Sequence, residues 1–238
     1  MKQSRIRLAW NWMFNMGRYN LKIIFANKFI WFLLASLAFF AGVLLITLFS
    51  KGKIDTATIF NLLLYPGLLL VFYPTVFGIQ NDEDTRVLEI LFGIPNYRYK
   101  VWLVRLLLIY LVVFVILVML ALFCSWALVP FPVFNMAWHL MFPIFFLGTL
   151  AFLLSTFIKN GIGTGVVIII IGIAFMVLGS IVSSSKWNIF LNPFSQPDGK
   201  SENAWKIIVQ DNRIILTVGM VLALLGGLTS LQKRERFI

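Results

Sequence analysis

Six long runs without a charged residue constrain this chain more than any other feature. Phe29 to Phe49, Ile59 to Ile79, Leu106 to Val129, Met136 to Ile158, Ile162 to Val182 and Ile214 to Leu231 contain no Asp, Glu, Lys or Arg. A run of about 20 apolar residues spans roughly 30 Å of hydrocarbon as a helix, and a helix satisfies every backbone polar group within its own segment. With 61% hydrophobic and 12% charged residues, the chain lies far from the composition of a soluble domain. The expected fold is an all-α polytopic membrane protein with six transmembrane helices, at about 29–49, 59–79, 101–129, 136–158, 162–182 and 214–231.

Several residues within these runs have two readings. Pro66-Gly67 and Pro74 break the second span, predicting a bent helix packed inside a bundle. Arg105 sits one turn into the third span, just before its uncharged run, where a substrate or gating charge competes with a long side chain that snorkels to the interface; snorkelling is the expectation. Gly161, Gly163 and Gly165 open the fifth span. They mimic a phosphate loop but lack its Gly-Lys-Ser/Thr ending and follow no strand, so they predict close helix packing. His139, beside Trp138 at a span end, is read as interfacial, and the single cysteine, Cys124, as a small hydrophobe. One cysteine excludes an internal disulfide and a cysteine-cluster metal site.

The net charge of +11 would suggest nucleic acid in a soluble chain, but here the basic residues must be read against the spans they flank, and no nucleic-acid partner is expected. With the N-terminus inside, the inner segments carry fourteen basic residues and the outer loops six. That asymmetry predicts both termini on the cytoplasmic side of a cell membrane, and the bacterial inner membrane is the expected location.

Two polar segments complete the layout. Residues 1–28 hold six basic residues and no acid. Arg7, Asn11, Asn15, Arg18 and Lys22 form one face and Trp10, Met13, Phe14, Leu21 and Ile24 the other, the pattern of an amphipathic helix in a membrane interface among anionic lipids. A cleaved secretory signal competes, but both the charged segment and the run that follows are too long for one. Between spans two and three, residues 82–94 hold four of the nine acids, Asp82, Glu83, Asp84 and Glu89. The acids favour a helix start and Gly93-Ile94-Pro95 a stop. Val87, Ile90, Leu91 and Ile94 take one side, and Asp82, Arg86 and Glu89 the other. This amphipathic helix is too short to span and is read as a docking element. The segment from Ser183 to Arg213, between spans five and six, is expected to form short helices at the outer interface.

Val87-Leu88-Glu89-x-Leu91-Phe92-x-x-Pro95, with Glu83 upstream and Arg98 downstream, resembles the coupling-helix segment of type-2 ABC exporter permeases. That segment typically has Gly-Thr before Leu-Glu and a Leu pair after it; here these are Arg86-Val87 and Leu91-Phe92. With the six-span layout, the resemblance covers essentially the whole chain. It implies that Asp82 to Pro95 dock in a cleft of a separate nucleotide-binding subunit, flanked by the N-terminal helix, and that the outer segment gates the exit. It further implies a second permease copy or a related permease as partner.

The resemblance implies transport, and because the chain has no phosphate loop and no soluble segment large enough for an ATPase, ATP and Mg are expected on the partner subunit and no cofactor on this chain. No carboxylate lies within the uncharged runs to relay protons, which argues against an ion-coupled carrier and favours an amphipathic or lipid-like cargo. Asn61, Tyr65, Tyr73, Thr149 and Ser155 are candidate pathway residues. A non-translocating membrane subunit that transmits ATP-driven motion to envelope partners remains open. A membrane enzyme built on His139, Ser155 and Asp211 lacks a nucleophile elbow, a His-Glu-x-x-His motif and an intramembrane carboxylate pair.

Overall fold

The structure, a computed structural model, describes residues 29–49, 54–84, 98–158 and 160–234. Its helices are α1 (Phe29–Phe49), α2 (Thr56–Asp84), α3 (Val104–Ala127), α4 (Val133–Ile158), α5 (Gly161–Ile181) and α6 (Glu202–Arg234), with a π-helical turn, Arg98–Leu103, leading directly into α3. All six are long and apolar enough to cross a membrane, and no strand occurs among the described residues. The regular structure of the described residues is therefore all helical, with six helices suited to a multi-pass membrane protein.

The expected interfacial helix, with Arg7, Trp10, Phe14, Arg18 and Lys22, lies outside the described residues, as do Arg86, Val87, Leu88, Glu89, Leu91, Phe92 and Pro95 of the expected coupling helix.

α2 and α4 are the most deeply buried spans and α1 and α5 the least. The core joins Leu63 and Leu70 of α2 to Val113 and Leu117 of α3 and to Leu140 and Ile144 of α4. Small residues let the helices approach. A side chain at Gly148 would meet the Tyr110 hydroxyl at 2.7 Å and Val71 at 2.9 Å, and one at Gly161 would overlap Phe77 and Gln80 of α2. The close packing expected of the glycine string holds for Gly161 and for Gly165, which faces Phe72, whereas Gly163 faces its own chain at Ile158. The lipid side is lined by exposed apolar residues such as Ile46, Trp126 and Ile181.

Three boundaries differ from expectation. α2 runs unbroken through Pro66 and Pro74 and continues past residue 79, so Asp82 to Asp84 belong to α2 rather than opening a helix of their own. At its other end Asp55 caps it, the carboxylate accepting from the Thr58 hydroxyl at 2.6 Å and the Thr58 amide at 2.8 Å. Those two bonds hold the Asp55 carboxyl below its ordinary range. α4 begins at Val133, just after Pro132. α6 begins at Glu202, twelve residues before the expected Ile214, so residues 202–213 are one continuous helix with the last span instead of separate short ones. The cause is a buried stripe, Trp205, Val209, Asn212 and Leu216, at spacings of four, three and four, with Trp205 and Val209 packed on Leu191.

Candidate functional site

Two polar clusters lie at opposite ends of the bundle, and α2 connects them. The first is built where α2 ends and α3 begins. Asp82 and Arg105 form a bidentate ion pair, Nη1 to Oδ2 at 2.6 Å and Nη2 to Oδ1 at 3.1 Å. Both side chains are nearly sequestered, at 2% and 7% exposure. The π-helical turn brings Trp102 against the same guanidinium, which lies 5.0 Å from the indole centroid, and Trp102 packs in turn on Phe152 of α4. Arg105 thus points into the bundle and does not snorkel. The reason is the carboxylate waiting there: a guanidinium fork matches a carboxylate with two parallel bonds, and that pairing offsets the cost of burial.

The arrangement is tight but incompletely satisfied. Among the described residues, Arg105 Nε and the Trp102 indole N–H are buried donors without an acceptor. Each such group costs about 1–3 kcal/mol, so this packing carries a standing penalty that another arrangement of the same groups can relieve. Among the other expected coupling residues, Glu83 and Asp84 are exposed on the last turn of α2, and Arg98 opens the π-helical turn.

The second cluster caps the other end. Residues 182–201 form a folded loop organised by asparagines. Asn188 donates to the carbonyls of Gly179 and Ser183 and accepts from the Phe190 amide. Asn212 of α6 donates to the carbonyls of Lys186 and Asn188 at 2.8 Å each. Trp205 donates its indole N–H to the Pro193 carbonyl at 2.9 Å. Asn192 donates to the Ala57 carbonyl at 2.9 Å and to Asn61 Oδ1 at 3.4 Å, which ties the loop to the first turns of α2. Beneath the loop Arg213 is buried. Its Nε donates to His139 Nδ1 at 3.4 Å, Nη1 to Asn212 Oδ1 at 3.1 Å and Nη2 to the Leu191 carbonyl at 3.3 Å, with the guanidinium 5.2 Å from the Phe142 ring centroid. His139 also meets Phe194 edge-on, so it packs under the loop as well as marking a span end.

Two apolar clefts open on the lipid side. One, of about 290 Å³, lies between α2, α4 and α5, with Leu68, Phe72, Ala151, Ile168, Gly172 and Ile173 in its wall. The other, of about 230 Å³, lies between α4 and α6 and is lined by Trp138, Phe142, Phe145, Leu216, Thr217 and Met220. Of the candidate pathway residues, Tyr65 borders the larger cleft, whereas Thr149 and Ser155 are buried with their hydroxyls bonded to carbonyls of their own helix.

The sequence reading missed Asn188, Asn192 and Asn212, the burial of Arg213, and the pairing of Asp82 with Arg105. Only the last had a visible signal: Arg105 is the one charge in its apolar run, and an acid stands at the facing end of the preceding helix. Compared with known proteins, the chain matches no family model, no curated protein and no solved structure.

Proposed function

We propose that this chain is the permease subunit of an ATP-driven type-2 ABC exporter. It moves an amphipathic or lipid-like cargo, works with a separate ATPase subunit that carries ATP and Mg, and pairs with a second permease. The single observation that best supports the reading is the buried Asp82–Arg105 pair. It joins α2 to α3, the helices on either side of the acidic segment that carries Glu89, so a push on that segment would load both together. α2 is a single helix of 29 residues, a rod of about 43 Å. Its far end is bonded to the asparagine loop through Asn192. A displacement at the acidic segment would reach the loop at the opposite end along this one continuous helix, in which Pro66 and Pro74 are the places it can bend. The unsatisfied Arg105 Nε and Trp102 N–H lower the cost of leaving this arrangement, as a two-state element requires.

The test is affinity purification of the chain in mild detergent, with co-purifying proteins identified and ATPase activity and cargo release assayed. The expected result is a stoichiometric ATPase subunit that is lost with Glu89→Lys or on deletion of residues 83–94. Arg105→Gln is expected to keep the subunit while cargo movement in vesicles falls and ATP hydrolysis continues. A wild-type complex that hydrolyses ATP with envelope partners attached and moves no cargo overturns the permease role in favour of mechanical transmission. A chain that emerges alone and inactive toward ATP overturns both.

A further inference from the structure

Arg213 is the most deeply buried cation among the described residues at the loop end of the bundle, at 7% exposure. The lysines nearby are differently placed: Lys186 pairs with Asp211 and Lys206 with Glu202, both at the surface. No carboxylate among the described residues forms an ion pair with Arg213; its three bonds go to an imidazole, an amide and a backbone carbonyl. A buried charge held only by neutral groups is costly, and an anion supplied from outside removes that cost. The guanidinium has five N–H groups, of which three are used, leaving one on each terminal nitrogen for a phosphate-type oxygen pair.

The depth of the site and its surroundings specify which anion. The uncharged run from Ile214 to Leu231 rises about 27 Å as a helix, close to the ~30 Å hydrocarbon thickness. Arg213, one residue before it, therefore stands at the boundary between acyl chains and headgroups. Below it on the same helix, Leu216, Thr217 and Met220 form one wall of the 230 Å³ cleft, and Phe142, which carries the guanidinium on its face, forms part of the other. Met220 is seven residues, or roughly 10 Å, deeper in the hydrocarbon. Trp138, 58% exposed, stands at the mouth of the cleft. A cation at phosphate depth above an apolar cleft that opens sideways to the bilayer has the shape and charge complementary to a lipid.

We propose that Arg213 and the cleft beneath it bind an anionic phospholipid of the leaflet at the loop end, its phosphate at the guanidinium and one acyl chain along Phe142, Leu216 and Met220. The site depends only on the chain's being a membrane protein and is independent of any ATPase partner.

Native mass spectrometry of the full chain in detergent, with dioleoyl phosphatidylglycerol and dioleoyl phosphatidylcholine offered in equal amounts, tests it. Both lipids present a phosphate, but the choline ammonium of phosphatidylcholine brings a second positive charge beside the guanidinium, so wild type is expected to retain phosphatidylglycerol about tenfold over phosphatidylcholine. Arg213→Lys should keep part of that preference and Arg213→Gln bring it to parity. Met220→Trp, which fills the cleft and leaves Arg213 intact, should abolish retention of phosphatidylglycerol, so the proposal remains testable even if Arg213→Gln does not fold. Equal retention of the two lipids by wild type overturns the proposal, as does a preference that survives either Arg213→Gln or Met220→Trp. Inorganic phosphate that competes off the lipid at millimolar concentration overturns the acyl contribution. A dimer that Met220→Trp splits without changing bound lipid reassigns the cleft to contact between copies.

Discussion

Two arginines are buried among the described residues, and their surroundings differ. Arg105 meets a carboxylate with both terminal nitrogens, whereas Arg213 meets only neutral acceptors. For Arg105 the energetics follow from burial: removing one member of a buried pair strands the other and typically costs about 3–5 kcal/mol, whereas replacing both by apolar groups is often close to neutral. Arg105→Leu is therefore expected to lower the stability of the detergent-solubilised chain by about 3–5 kcal/mol, and Asp82→Leu with Arg105→Leu to regain most of that loss. Thermal or denaturant unfolding of the two single variants and the double variant checks this as a cycle. Additive losses would show that the two residues act independently. The pairing was hard to read from sequence because Asp82 and Arg105 are 23 positions apart. Periodicity links residues within a helix, and only the packing of α2 on α3 makes these two neighbours.

Among the helices, glycines separate close contact from open space. Gly148 sits where α4 meets α2 and α3, with the Tyr110 hydroxyl and Val71 already inside the distance a methyl group needs. Gly172 of α5 faces the larger cleft, and a methyl group there would meet nothing within 4 Å. Gly148→Ala is expected to destabilise by about 1–3 kcal/mol through overpacking. Gly172→Ala should stabilise by about 1 kcal/mol, the helix-propensity difference. Thermal unfolding of both variants under one condition decides it; a loss at Gly172 matching that at Gly148 would mean the cleft is closed by something packed against α5. Span positions were readable because an uncharged run is a one-dimensional signal. The start of α6 was not, because Glu202, Asn203, Lys206 and Gln210 occupy its exposed positions and give the whole stretch a polar composition. Its buried stripe of Trp205, Val209 and Asn212 includes an asparagine, which a hydropathy scan scores as loop.

For the whole molecule, the decisive quantity is which end faces the cytoplasm. The two polar clusters sit at opposite ends, so one orientation places Asp82 and the acidic segment inside and the asparagine loop outside, and the other reverses both. Fourteen basic residues against six favour the first. The charge bias acts during insertion, through short loops near the spans, and most of the inner excess comes from residues 1–28 and the C-terminal tail. Cys124 is the only cysteine and is fully buried, so Cys124→Ala gives a background free of thiols into which reporters can be placed. Asn203 is exposed in the first turn of α6, at the loop end, and Asp84 is exposed at the last turn of α2, at the other. In intact cells a membrane-impermeant maleimide is expected to label Asn203→Cys and to leave Asp84→Cys unlabelled until the membrane is permeabilised. The reverse pattern would put the acidic segment outside, beyond the reach of any cytoplasmic ATPase. It would remove the permease reading while leaving the Arg213 site intact, since that site needs only the depth of the guanidinium and the cleft beside it.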